Sequence, residues 1–260
     1  MPPARKRPRA YDSAKIRAAV LAQSALLAEA AGALTPEQLD RPTRLGDWTV
    51  RDLTAHLATV LGSVVRDLDE PAPPRAETAL MEWPFRAAGA IDEDSGAPAG
   101  EGDPAEGLAR SAARLGEALA AAGDDRPVPT RFGPMRLGDL LVTRTVELVV
   151  HTDDLNEATG LSVPLDRQAL AACTRLLADA LALKAPGGAV EVRIPPYAVV
   201  QCVEGPRHTR GTPPNVVETD PLTWVRLAAG RTGWAEELGA ARVGASGERA
   251  DLAGLLPILG

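Results

Sequence analysis

The chain has 260 residues, enough to bury a substantial core in one large domain or two modest ones. Its formal net charge of -7 argues against nonspecific binding to nucleic acid, because such binding needs a positively charged surface. The sequence has no apolar run of the roughly 18 residues that a membrane-spanning helix requires, and it begins without the apolar stretch of a signal peptide. We therefore expect a cytoplasmic protein with no nucleic-acid partner and no membrane partner.

Cysteine and lysine usage give two further indications. Cys173 and Cys202 are too few for a framework of several disulfides, and we interpret them as packing residues of a protein in a reducing compartment. Among the 28 basic residues only Lys6, Lys15 and Lys184 are lysine, and alanine is abundant. Since arginine and alanine have GC-rich codons, this bias favours a bacterium of high GC content, such as an actinobacterium, as the source.

The N-terminal part of the chain has the apolar periodicity of helices. Residues 1–10 carry a cluster of basic side chains and predict a disordered terminus, whereas residues 11–162 predict a bundle of four helices. Trp83 and Phe85 are expected to pin the long connection at residues 71–102 to the bundle. Capping residues and stop signals predict helices from Asp12 or Ser13 to about Leu34, Thr49 to about Leu68, Asp103 to Gly123, and Leu137 to Ala158 before Gly160.

The remaining residues, 163–260, predict a small α+β domain, so the expected fold class is α+β with the helical bundle first. Val190–Ile194 alternates apolar and charged residues, as a half-buried strand does. Further strands are expected at Ala198–Val203, Arg207–Thr212, Val216–Thr219 and Arg242–Ala245, with helices at Asp166–Lys184, at Pro221–Ala229 and through Leu252, Leu255 and Leu256.

Three side chains of the bundle form a candidate metal site. Glu147 and His151 are four residues apart, about one helical turn, so they leave the same side of the fourth helix. His56 borders the apolar face of the second helix, which supplies a second imidazole. Two histidines and one carboxylate are a ligand set that holds a divalent metal with open positions. The alternatives are a buried hydrogen-bonded His56 and an internal ion pair of Glu147 with Arg144 or with a distant arginine.

Two segments resemble the metal-binding signatures of a known family. Gly46-Asp-Trp48-Thr-Val-Arg-Asp-Leu-Thr-Ala-His56-Leu and Arg144-Thr-Val-Glu147-Leu-Val-Val-His151 are similar to those of the mycothiol-dependent maleylpyruvate isomerase family, over about residues 11–160. The resemblance implies a DinB-like four-helix bundle whose metal ligands are His56, Glu147 and His151. Residues 161–260 more weakly resemble the C-terminal domain of that family and sterol-carrier-like domains.

The resemblance also implies a chemistry. A divalent metal, with Zn²⁺ expected, would bind the small-molecule thiol mycothiol as a thiolate, which attacks a small electrophilic substrate. The reaction would be thiol transfer or thiol-assisted isomerisation. After His151 the chain has Thr152-Asp153-Asp154, where many relatives carry a glycine and an aromatic residue, so the resemblance does not carry over a particular substrate. The acidic pair would either orient a ligand or form a solvated helix end.

Other interpretations remain open from the sequence. Arg231 is a candidate catalytic residue that would hold a substrate carboxylate from the second domain; a surface or interdomain ion pair is its alternative. His208 is expected to be exposed in a polar loop. The rival function is a carrier that binds a lipid or another hydrophobic ligand in the sterol-carrier-like domain, between Pro221–Ala229 and Ala198–Val203. In a third interpretation, the metal triad only stabilises the bundle.

Overall fold

A computed structural model describes residues 9–88, 102–205 and 213–259. Four long helices form the predicted bundle: α1 and α3 each pack on both α5 and α6, and α3 lies most extensively against α5. The helices of this part are α1 (Ser13–Gly32), α2 (Pro36–Leu39), α3 (Val50–Asp69), α4 (Trp83–Ala88), α5 (Pro104–Ala121) and α6 (Leu137–Thr159), with a 3₁₀ turn at Leu80–Glu82.

The ends of the two helices that carry the candidate ligands are fixed by local chemistry. At the start of α3 the Thr49 side chain accepts a hydrogen bond from the Asp52 backbone, and the Asp52 carboxylate accepts one from the Thr49 backbone N–H at 2.9 Å. This reciprocal capping box satisfies donors that the first helical turn leaves unpaired. Helix α6 ends at Gly160, whose φ of +73° lies in the left-handed region that glycine adopts without strain.

Helix α6 is surrounded, since α1, α3 and α7 (Arg167–Lys184) all pack against it. It is consequently buried on nearly every side, and the buried set includes the charged residues Arg144, His151, Asp153 and Asp154. A buried ionic group is costly without a partner, so these side chains must be paired within the protein. The arrangement of those pairs forms the candidate site.

The C-terminal part is the expected small α+β unit. Its sheet has the strand order β4-β3-β5-β6, with β3 antiparallel to β4 and parallel to β5, and β5 antiparallel to β6. Helix α7 packs on both the bundle and β4, so a single apolar core runs through the chain. The elements are β3 (Val190–Ile194), β4 (Ala198–Cys202), β5 (Val216–Thr219), α8 (Pro221–Ala228), α9 (Trp234–Gly239) and β6 (Val243–Ser246).

Several local predictions were wrong or incomplete. The terminal helix through Leu252 is absent, and Ala253–Leu255 forms only a 3₁₀ turn, because Pro257 cannot continue a helix. Trp83 is buried as predicted, but Phe85 is 41% exposed and does not pin its segment. Several elements were not predicted from the sequence: the short helices α2 and α9, the helix α4 within the predicted connection, and the two-residue strands β1 (Pro127–Val128) and β2 (Met135–Arg136).

Some predictions fall where no structure is described. Residues 1–8, most of the basic N-terminus, lie outside the described residues, as do His208 and the whole strand predicted at 207–212. Arg9 is described and pairs with Asp179 at 2.9 Å. The boundary predicted at residue 162 lies between α6 and α7, and the division into two domains remains a prediction. Among the described helices, none is long and apolar enough to span a membrane.

Candidate metal centre

His56, Glu147 and His151 meet in the interior of the bundle. One ligand atom from each lies within 4.8 Å of the other two, with His56 on α3 and the other two on α6. The Nε2 atoms of His151 and His56 lie 3.4 Å and 3.9 Å from Glu147 Oε2, and the two imidazole rings meet edge to face with centroids 5.0 Å apart. Both imidazoles therefore direct the same nitrogen toward one carboxylate oxygen.

The loop before α3 supplies one wall of this site. The Thr43 backbone N–H donates to the Trp48 carbonyl at 2.8 Å, and the turn between them contains Gly46 at a φ of +61°. This closed turn brings the Trp48 ring to 5.0 Å from the His56 ring, centroid to centroid. The side chains of His56 and Glu147 each retain 22% exposure, so solvent reaches these two residues, whereas His151 is buried.

The charges of the ligands depend strongly on one another. Burial alone would raise the pKa of Glu147, but its close contacts with His151 and His56 and the charge of Arg144 hold that pKa well below its usual value. Burial alone would lower the pKa of His151, whereas its contacts with Asp154 and Glu147 raise it to about 9. Without a cation, the cluster is thus an ionised carboxylate held between imidazoles, with His151 protonated at neutral pH.

Asp154 supports His151 from behind the ligand cluster. Its Oδ2 lies 2.9 Å from His151 Nδ1, and its carboxylate is fully buried. Two guanidinium groups compensate for that burial: Arg44 Nε donates to Oδ1 at 2.6 Å and Arg231 Nε donates to the same oxygen at 3.0 Å. Together with His151 they outweigh the effect of burial and hold the pKa of Asp154 far below its usual value.

Asp153 extends the same ionic network to the C-terminal domain. It accepts two hydrogen bonds from Arg226 of α8, at 2.8 Å and 2.6 Å, and one from Arg44 of the loop before α3. Asp153 and Asp154 are 4% and 0% exposed, so the interpretation of this pair as a solvated helix end is wrong. Arg44 bridges both aspartates and thereby connects the turn that carries Trp48 to α6.

The structure thus brings together the three predicted ligands and sets Arg231 behind them, in an ion pair with Asp154. The role predicted for Arg231 as a ligand of a substrate carboxylate stays a prediction, while the interdomain ion pair is the contact observed. Arg44 and Arg226 were missed by sequence reasoning. The signal for them was available, because two adjacent aspartates in an otherwise apolar helix require cationic partners.

A cavity of about 270 Å³ opens beside the triad. Helices α3 and α6, Trp83 of α4 and the loop between β1 and β2 surround it, and both His56 and Glu147 line it. The donor set next to it suits a divalent metal such as Zn²⁺, because imidazole nitrogen and carboxylate oxygen are its usual ligands outside thiolate sites. Three ligands leave room for a water or a substrate atom, as in catalytic rather than structural sites.

Two family models of known proteins match the two parts of the chain. The family model described as mycothiol maleylpyruvate isomerase N-terminal domain matches residues 20–156, and the one described as bacterial SCP ortholog matches residues 166–258. No curated protein matches the chain.

Two solved structures share the fold. A crystal structure of the mycothiol-dependent maleylpyruvate isomerase superposes with a TM-score of 0.61 at 17% identity, and a histidine-to-alanine mutant of that enzyme with 0.59 at 15% identity. Each match covers 93% of this chain and 95% of the other. At this identity the structures establish the likeness of fold, while the family assignment follows from the match to more than half of the sequence. The chain belongs to the mycothiol maleylpyruvate isomerase N-terminal domain family.

Proposed function

We propose that the chain is a metal-dependent enzyme that uses mycothiol to transfer a thiol to a small electrophilic substrate or to isomerise it. The observation that carries this proposal is the convergence of His56, Glu147 and His151 within 4.8 Å at the edge of a cavity. Membership of the family supports an enzyme of isomerase type, and the cavity provides space for a small molecule beside the ligand atoms. The substrate itself is not named by these features.

The three ligands would hold the metal through His56 Nε2, His151 Nε2 and the Glu147 carboxylate. A divalent cation bound there would lower the pKa of a thiol, which is ordinarily near 8.5, and favour its nucleophilic thiolate form at neutral pH. The low pKa of Glu147 keeps its carboxylate ionised, as a ligand must be. A bound cation would replace the proton on His151 Nε2, while Asp154 would keep the other proton on Nδ1 and so orient the ring.

The sulfur must come from a small molecule, since neither cysteine is suited to the chemistry. Cys173 and Cys202 are both buried, and burial raises their pKa values, to about 11 for Cys202. Such thiols are poor nucleophiles at neutral pH. An external thiol that adds to an unsaturated substrate gives isomerisation if it leaves again after bond rotation, and net transfer if it stays.

The carrier alternative finds less support in the described residues. The segments expected to line a hydrophobic pocket instead fill the core: Trp224 and Val225 of α8, and Ala198, Val200 and Cys202 of β4, are all buried in the same apolar cluster. The cavity beside the triad is lined by bundle residues and not by these segments. We therefore favour catalysis at the bundle, with the C-terminal domain holding part of the site in place.

Metal content is the first test. Purified protein, His56→Ala and Glu147→Ala would be compared with Glu157→Ala, which removes an exposed carboxylate from the same helix. We expect about one divalent metal per chain in wild type and Glu157→Ala, and little in the two ligand variants. The metal-loaded protein would then be incubated with mycothiol and a panel of electrophiles. Unchanged metal content in both ligand variants would contradict the proposed metal site. Absence of mycothiol-dependent turnover with every electrophile of the panel would contradict the proposed enzymatic activity.

A further inference from the structure

Five charged side chains form one row of alternating sign behind the candidate metal ligands. In order of contact they are Arg226, Asp153, Arg44, Asp154 and Arg231. The two aspartates are neighbours on α6, and Arg226 and Arg231 belong to the C-terminal part of the chain. Arg44 is the one member of the row that comes from the loop before α3. The row therefore connects three separate segments of the chain.

Arg44 occupies the centre of this row. Its Nε donates to Asp154 Oδ1 at 2.6 Å, and its Nη2 donates to Asp153 Oδ2. Both carboxylates are buried, so each needs a cationic partner. Hydrogen bonds from a guanidinium to carboxylates are short, strong and directional. They hold the chain at Arg44 against α6.

Arg226 of α8 binds the same carboxylate as Arg44 does. Its Nε donates to Asp153 Oδ2 at 2.8 Å and its Nη2 donates to Asp153 Oδ1 at 2.6 Å, which is a bidentate pair. Asp153 Oδ2 thus accepts from both arginines. Because the two guanidinium groups share one oxygen, loss of Arg226 should change the orientation of the carboxylate and, with it, the position of Arg44.

The turn that contains Arg44 also carries Trp48. The Thr43 hydroxyl donates to the Trp48 carbonyl at 2.8 Å, the Leu45 N–H donates to that hydroxyl at 3.1 Å, and the Trp48 N–H donates to the Leu45 carbonyl at 3.2 Å. A turn closed by its own hydrogen bonds moves as a unit, so a displacement of Arg44 should reach Trp48. The Trp48 ring lies against His56 and lines the cavity.

The arginines themselves lie away from the cavity. Among the described residues, its lining includes Trp48 but not Arg44, Asp153 or Arg226. The side-chain hydrogen bonds described for Arg226 both end on Asp153, whereas His151 is supported by Asp154. Any effect of Arg226 on a molecule in the cavity must therefore pass through the neighbours of Asp153, and not through a contact of its own.

We propose that Arg44 and Arg226 are positioning residues, which together with Asp153 form a clamp that holds the Trp48 turn against His56. Through this clamp the C-terminal part of the chain sets one wall of a cavity that it does not line. The wall governs how well a substrate fits, while the metal ligands stay supported by Asp154. The effect on substrate rests on the proposed function, whereas the position of Trp48 depends on the contacts alone.

The test reports on Trp48 directly. Protein labelled with 5-fluorotryptophan would be studied by ¹⁹F NMR, with Trp48→Phe used to assign the resonance. The variants are Arg226→Gln, Arg226→Lys and Arg44→Gln. The control is Arg193→Gln, which removes an arginine of β3 that has a similar exposure and pairs with Glu191 on its own strand. Melting curves would verify that each variant folds.

We expect the Trp48 resonance to move by more than its linewidth in Arg226→Gln and Arg44→Gln. The movement should be smaller in Arg226→Lys, which keeps the charge without the paired bonds, and absent in Arg193→Gln. In Arg226→Gln the zinc affinity, measured by chelator competition, should stay within about twofold of wild type. Its KM for an electrophile that wild type consumes with mycothiol should rise about two- to thirtyfold at nearly constant kcat.

Several results would overturn the clamp. One is a Trp48 resonance that stays in place in folded Arg226→Gln; another is an equal movement in Arg193→Gln. If Arg226→Gln does not fold, Arg226→Lys decides the comparison. An unchanged KM in Arg226→Gln, or a loss of zinc affinity as large as the rise in KM, would mean that Arg226 does not act on the substrate through Trp48.

The clamp and the proposed enzyme fail separately. If wild type shows no mycothiol-dependent turnover, the enzymatic proposal falls, and the Trp48 resonance still decides whether the clamp holds the turn. If turnover is present and the Trp48 resonance is the same in wild type and the folded Arg226 variants, the enzymatic proposal stands and the clamp falls.

Discussion

His151 Nδ1 lies 2.9 Å from Asp154 Oδ2, and this contact leaves Nε2 as the imidazole nitrogen that would bind the proposed metal. Because the pKa of Asp154 is held far below its usual value, its carboxylate is ionised and can only accept a hydrogen bond. Asp154 therefore holds a proton of His151 on Nδ1, while Nε2, which also carries a proton at neutral pH in the absence of a cation, faces Glu147. His151, Arg231 and Arg44 together keep Asp154 ionised, and the C-terminal domain thus supports the bundle site through the chain Arg231, Asp154 and His151.

Asp154→Asn should weaken metal binding. The amide has a similar shape but no charge. The Asp154 charge orients the His151 ring and raises the basicity of that imidazole, and both effects would be lost in the variant. Loss of such an outer carboxylate typically costs about 10–100-fold in metal affinity. Competition titrations of Zn²⁺ against a chelator would measure the change, with Glu157→Gln as the matched control on the same helix. An affinity equal to wild type would mean that Asp154 has no influence on His151 as a ligand.

Arg231→Gln distinguishes a positioning residue from a substrate ligand. If Arg231 acts through Asp154, the variant should weaken zinc binding and lower the melting temperature, while the KM for an acidic electrophile stays within about twofold of wild type. If Arg231 instead holds a substrate carboxylate, the KM rises and the zinc affinity is unchanged. Steady-state kinetics and chelator competition on the same preparation would separate the two, because each role moves a different measured constant.

Acidification should lower the free energy of unfolding of the metal-free protein. Burial would raise the pKa of Asp153, but the hydrogen bonds from Arg226 and Arg44 outweigh it, so the pKa is lowered. A carboxyl with a lowered folded-state pKa stabilises the protein above its unfolded value, about 3.9, and this contribution is lost as the pH falls through the folded value. Urea unfolding of metal-free protein should therefore give a free energy that falls steeply below about pH 4.

Asp153→Asn provides the control for that pH dependence. At pH 7 it should be less stable than wild type by about 1–3 kcal/mol, since it leaves the partly exposed guanidinium groups of Arg44 and Arg226 with fewer acceptors. At lower pH the wild-type carboxyl becomes protonated and therefore uncharged, as the amide of the variant already is. The difference in the free energy of unfolding between the two proteins should then shrink. A difference that stays constant from pH 7 to pH 3 would contradict the ionic role of Asp153.

Metal removal should lower the melting temperature only when the triad is intact. A ligand that binds the folded state alone stabilises it by about 2.7 kcal/mol when present at 100 times its dissociation constant. The melting temperature of wild type should therefore be higher with Zn²⁺ than after EDTA treatment. The melting temperature of His56→Ala should be the same with Zn²⁺ and after EDTA treatment. Scanning calorimetry would measure this; a zinc-dependent shift retained in His56→Ala would locate the metal elsewhere.

Local sequence chemistry determined the elements that carry the ligands. The capping box at Thr49 and Asp52 set the start of α3, and Gly160 set the end of α6, because both act within a few residues of the chain. Helical periodicity then placed Glu147 and His151 on one side of α6. The alternation of Val190–Ile194 predicted β3 for the same local reason.

Only the tertiary structure decided how the charges are paired. Asp154 accepts from Arg44 and Arg231, which are 110 and 77 residues away along the chain, and Asp153 accepts from Arg226 at a separation of 73. Sequence periodicity carries no information about which distant arginine arrives beside an aspartate. The burial that makes Asp154 an orienting group, and not a solvated helix end, arises because α6 is enclosed by its neighbours, and that enclosure follows from the packing of the whole chain.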